Sequence, residues 1–136
     1  MPSCMLRVSG STAKVRRFLA SSTTQPAKVF WKGEPGVPKS RGPVSTSGFN
    51  IQLSGADGIA AQAAQAVKFI RKYKDSLLLI KSLGLCPAVI DFGLNDLATE
   101  DNPWPSYRLP IAFVQLASEL GCDIELSFYG VPPDAP

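Results

Sequence analysis

Polar and apolar positions along the chain follow two rhythms. Met5, Leu6, Arg7 and Val8 form a short, mostly apolar run closed by Ser9 and Gly10, which predicts a first strand. Ser11 or Thr12 then offers a helix cap. Val15, Phe18 and Leu19 recur at helical spacing, with Lys14, Arg16 and Arg17 on the wet side, and predict a helix ending near Ser21. Residues 27–32 alternate as a strand does and run into Gly33, a natural turn start. Residues 33–48 open with a cluster of prolines and glycines and show no apolar period, so they read as a loop through Gly48. Its length marks it as a functional or mobile segment. Phe49, Ile51 and Leu53 then alternate with Asn50 and Gln52, the clearest strand in the chain.

Ser54 and Asp57 resemble a capping box. They precede Ile59, Ala63, Ala66, Ile70 and Tyr73 at spacings of three and four, predicting a long amphipathic helix with Lys68, Arg71, Lys72 and Lys74 on its outer, later turns. Asp75 or Ser76 would cap a second, short helix over 77–83, stopped by Gly84 and Pro87. Residues 88–92 read as a buried strand and residues 93–105 as an acidic loop with Trp104 between two prolines. Pro110 suits the first turn of a helix that reaches Leu120 and closes at Gly121. Strict alternation over 123–129 places Ile124, Leu126 and Phe128 inward. The order β-α-β-β-α-β-α-β implies an α+β two-layer sandwich: a mixed, mostly antiparallel sheet with helices on one face. Residues 1–130 are expected to form a single domain and residues 131–136 a proline-rich tail.

Composition changes this picture mainly by exclusion. The 136 residues, 45% hydrophobic and 18% charged, suit one globular domain rather than a disordered chain. No histidine occurs, which removes the commonest proton-transfer group and transition-metal ligand. The three cysteines, Cys4, Cys86 and Cys122, are widely spaced with no C-x-x-C pair, so they read as reduced thiols rather than a disulfide framework or zinc site. The N-terminus lacks the apolar core of a secretory signal, and no apolar run approaches the roughly 20 residues a bilayer requires. A cytoplasmic location is expected, with no membrane partner.

Charge is unevenly spread. Residues 1–41 hold eight Lys/Arg against one acid, residues 42–85 five against two, and residues 86–136 one against eight. The two ends of the chain should attract, and a last strand lying near the first would neutralise these charges locally.

The chain also resembles a bacterial family known only as domain of unknown function 4279. The likeness lies in Leu6-Arg7-Val8-Ser9-Gly10 leading into a short helix, in the strand ending Trp31-Lys32-Gly33-Glu34-Pro35, and in the strand of residues 49–53. It is completed by the helix-Gly-strand ending over residues 116–129. Phe49 stands where many members carry Trp. Some relatives lie near bacterial toxin genes, so the resemblance implies an immunity- or antitoxin-like role.

Candidate contact residues concentrate at a strand end, where partners often dock. They are Phe30, Trp31, Lys32, Gly33, Glu34 and Pro35, with Lys39 and Arg41 of the following loop and Trp104 of the acidic loop. Alternation sends Phe30 and Trp31 to opposite faces, one to the core and one partly exposed. Together they suggest a non-enzymatic module that binds another protein and needs no cofactor or metal. The alternative is a small-molecule-binding domain or a divalent-metal-dependent enzyme built on Asp91, Asp96, Glu100 or Asp101. Nucleic acid is not the expected partner: the signature octapeptide of an RNA-recognition sheet is missing, and the acidic last third would repel a polyanion. No G-x-S-x-G elbow is present, and Cys86 has no activating neighbour in sequence.

Overall fold

A computed structural model describes residues 2–95 and 98–129. Five strands, β1 (Cys4–Gly10), β2 (Lys28–Phe30), β3 (Ser47–Ser54), β4 (Ala88–Leu94) and β5 (Asp123–Phe128), form one sheet in the order β2-β3-β1-β4-β5. The β4–β5 pair is parallel and all other neighbours are antiparallel. Four helices, α1 (Thr12–Ser21), α2 (Ile59–Lys72), α3 (Lys74–Ser82) and α4 (Ile111–Leu120), complete an α+β fold.

The helices cover one face of the sheet. Leu6 and Val8 of β1, Phe49 and Ile51 of β3, and Ile90 and Phe92 of β4 are all buried, because alternation points each toward the helix layer. They meet Val15 and Phe18 of α1, Ala63, Ala66 and Ile70 of α2, Leu77 and Ile80 of α3, and Phe113 and Leu120 of α4 in one core cluster. Phe18 stacks on Phe49 with ring centroids 4.3 Å apart, and Phe92 meets Phe113 edge-on at 5.0 Å. Among the described residues, no helix packs on the opposite face of the sheet.

Several sequence expectations are corrected at element ends. Ser11 caps α1 as expected, accepting from the Lys14 N–H. Ser54 does not cap α2: it is the last residue of β3, its hydroxyl accepts from the Ala56 N–H and donates to Gln65, and the helix starts at Ile59 after an uncapped Gly58. Helix α3 starts at Lys74, earlier than 77. Ser76 lies within it as a buried acceptor for the Thr23 N–H, and Asp75 sits in its first turn, so neither is the cap. Pro110 is the residue before α4 rather than in its first turn. The two helices expected between β3 and β4 both form, so the order becomes β-α-β-β-α-α-β-α-β, and β1 is central in the sheet.

The strand of 27–32 shortens to three residues, whereas the loop of 33–48 proves organised. The Gly33 N–H donates to the Val44 carbonyl and the Val44 N–H to Glu34, closing the segment on itself around a short 3-10 turn at Lys39–Arg41. The tail of 131–136 lies outside the described residues. Among those described, no helix is long and apolar enough to cross a membrane.

Candidate functional site

The exposed sheet face and the β2–β3 hairpin together form a concave surface. Phe30 ends β2 opposite Gly48 of β3, and its ring lies over that glycine: a Cβ on Gly48 would run into both the Phe30 ring and the Val8 carbonyl oxygen. A glycine is required here so that the ring can lie flat against the backbone. Phe30 thereby becomes a wall shared by two hollows. One, of about 490 Å³, opens beside the hairpin and is lined by Lys28, Phe30, Glu34, Pro35 and Arg41 with Val37 and Val44. The other, of about 350 Å³, runs onto the sheet between Phe30, Arg7, Ser9, Asn50 and Pro87.

Trp31, the next residue, turns to the other face as alternation requires. It packs at the edge of the core with the Arg16 guanidinium 5.5 Å above its ring. Phe30 and Trp31 are both partly buried, so the expected division into one core and one exposed ring is softened at this narrow edge. Lys32 donates its N–H to the buried Ser47 hydroxyl, Gly33 takes a positive φ of 92°, and both are exposed; Lys39 lies on the 3-10 turn, also exposed. Lys32, Gly33 and Lys39 frame the hairpin without lining its hollow.

Trp104 is 87% exposed but does not join this surface. The hairpin lies at the end of the sheet where Gly10 pairs with Ser47, whereas the segment holding Trp104 follows Leu94, at the end where Cys4 pairs with Phe92. The contact segments proposed from sequence therefore sit at two opposite ends. Near Trp104, Gly58 and Ile59 at the start of α2, with Asn95, Thr99, Asn102 and Tyr107, line a separate open hollow of about 560 Å³.

The carboxylates of the alternative reading that the structure describes form no metal-type cluster. Asp91 lies on β4, in the strand expected over 88–92, and is 7% exposed. Its Oδ2 is 3.2 Å from the Arg7 guanidinium and its Oδ1 accepts from the Ser127 hydroxyl at 2.6 Å, while Arg7 also reaches Glu125 at 2.6 Å. Both oxygens are thus engaged in a lattice across β1, β4 and β5. Glu100 and Asp101 are exposed, Asp96 lies outside the described residues, and among the described residues no three Cys, Asp or Glu side chains converge as a metal site would require. The lattice was hidden from sequence because it joins residues from three strands whose adjacency only the sheet order reveals.

Compared with known proteins, the chain matches no family model, no curated protein and no solved structure.

The thiols offer little chemistry. Burial, reinforced by the Asp91 charge, pushes Cys4 from 9.0 up to about 12. Burial with Asp123 nearby raises Cys122 from 9.0 to about 12 as well. Both are held protonated and non-nucleophilic at neutral pH. Cys86 is the exposed thiol.

Proposed function

We propose that this protein is a non-enzymatic protein-binding module, an immunity- or antitoxin-like factor of the bacterial cytosol, and that it meets its partner through the β2–β3 hairpin. The observation that carries this reading is the convergence of Phe30, Lys28, Glu34, Pro35 and Arg41 on one open hollow. Aromatic residues and Arg are enriched at binding centres, and polar groups form the rim around them. Lys28 and Arg41 outnumber Glu34 there, so the matching surface on the partner combines an apolar side chain with a carboxylate. Such charge complementarity speeds encounter and makes the association rate fall with added salt.

The engagement of both Asp91 oxygens weighs against the carboxylate-enzyme alternative.

The test is calorimetric titration with the product of the adjacent gene, using wild type, Phe30→Ala, Arg41→Glu and Trp104→Ala. Phe30→Ala and Arg41→Glu should weaken binding at least about tenfold, which corresponds to about 1.4 kcal/mol, while Trp104→Ala leaves it unchanged. Circular dichroism melts confirm that each variant is folded. Undiminished binding by both hairpin variants, or loss only with Trp104→Ala, would reject the hairpin as the contact.

A further inference from the structure

The two edges of the sheet differ in how they treat a further strand. Edge strand β2 has three residues, includes Lys28 and follows Pro26, all features that discourage pairing with another chain. Edge strand β5 has six residues and contains neither proline nor a basic side chain.

Backbone direction along β5 can be assigned. The Tyr129 N–H donates to the Leu94 carbonyl of β4 at 2.8 Å. Alternation along a strand then turns the backbone groups of Ser127 and Glu125 toward β4 and those of Ile124, Leu126 and Phe128 outward. Among the described residues, no backbone hydrogen bond from these three outward positions to a loop or helix is found. The same three residues carry the apolar side chains of the strand, and Leu126 and Phe128 remain 39% and 51% exposed. On α4, which packs against β5, Ile111 and Val114 are exposed as well.

We propose that β5 pairs antiparallel with β5 of a second copy, about a two-fold axis at Leu126, joining the two sheets edge to edge. In that register Leu126 faces Leu126 of the second copy and Ile124 faces its Phe128. Every outward N–H and carbonyl of Ile124, Leu126 and Phe128 then finds a partner, and the helix-side row is apolar throughout. On the other side of the sheet Glu125 faces Ser127, and Asp123 faces Tyr129. Centring the axis on Glu125 instead would set two Glu125 carboxylates directly opposite and leave one outward residue of each strand unpaired. Charge and hydrogen bonding therefore favour the register centred on Leu126 over the one centred on Glu125, and the two-fold relation closes the assembly at a dimer. This surface lies at the edge opposite the hairpin and leaves the partner-binding hollow free.

Sedimentation equilibrium of the full chain tests the proposal directly. Wild type is expected at twice the monomer mass, and Leu126→Lys at the monomer mass with an unchanged circular dichroism spectrum. Register is read by oxidation in a Cys86→Ser background. Residues opposite in a hydrogen-bonded antiparallel pair have Cα atoms about 5.5 Å apart, within disulfide reach, so Leu126→Cys should form a covalent dimer and Glu125→Cys should not. A monomeric wild type at the highest soluble concentration, a dimer that survives Leu126→Lys, or crosslinking through Glu125→Cys in preference to Leu126→Cys would each overturn the proposal.

Discussion

Asp91 and Glu125 share one guanidinium yet differ in what they contribute. Asp91 is nearly buried and also takes the Ser127 hydroxyl, whereas the Glu125 side chain is 50% exposed. Truncating Asp91 strips the Ser127 hydroxyl of its acceptor and leaves Arg7 with Glu125 as its remaining carboxylate, while truncating Glu125 removes a solvent-screened contact. Urea denaturation should therefore show Asp91→Ala losing about 2 kcal/mol and Glu125→Ala less than about 1 kcal/mol. The thiols give a pH dependence of definite sign. Cys4 and Cys122 ionise near 9.0 when unfolded but only near 12 when folded, so each favours the folded state fully below pH 9. As pH rises from 9 toward 12 the unfolded state releases protons first, and stability falls. Melting temperatures should drop above pH 9, with a shallower slope in Cys4→Ala; an identical slope in that variant would assign the effect elsewhere.

At the scale of elements, Gly42 and Gly48 serve the β2–β3 hairpin for different reasons. Gly42 holds φ 76° and ψ −177°, a conformation open essentially to glycine alone, and it ends the 3-10 turn. Gly48 instead provides room beneath Phe30. Gly48→Ala should displace the ring and cost about 1–3 kcal/mol by overpacking, read from denaturation together with the shifted Phe30 ring resonances in NMR spectra. Native ring shifts in that variant would show that Gly48 does not set the shape of the hollow. A second joint lies at the start of α2. There the fully buried Gln62 amide donates to the carbonyls of Ala56 and Gly93, both at 2.9 Å, tying the helix to β4 without a side-chain cap. Spacing showed Gln62 only as a position within an amphipathic helix; its partners come from a turn and from another strand. The β5 pattern carries a related lesson. Alternation correctly put Ile124, Leu126 and Phe128 on the helix side, since they lie beside Ile90, Phe92 and Leu94. It could not reveal that β5 is the last strand, where α4 covers the row only in part and Leu126 and Phe128 stay exposed.

On the scale of the whole molecule, the charge gradient is resolved by topology. Arg7 from the basic end meets Glu125 from the acidic end because β4 brings β5 within reach of β1, and Lys74 of α3 meets Glu119 of α4 at 2.7 Å. The remaining cations of α1 and α2, including Lys14, Arg17, Lys68 and Arg71, lie exposed on the helix layer. Since every helix joins the same core cluster as the sheet, unfolding should be one cooperative event. Far-ultraviolet dichroism and the emission of the partly buried Trp31, measured in Trp104→Phe, should follow a single denaturation curve. Separate midpoints would mean that the hairpin opens independently.

What local periodicity determined was the kind and approximate place of each helix and strand, the α+β class and the inward residues of β3 and β5, because these depend on residues three or four apart in helices and two apart in strands. Turn residues marked most boundaries to within a few positions. Strand order, the lattice of Arg7, Asp91, Glu125 and Ser127, the recess beneath Phe30 and the separation of Trp104 from the hairpin were decided only by the tertiary structure. Each depends on which distant segments become neighbours, and that follows from how all the apolar faces are buried together.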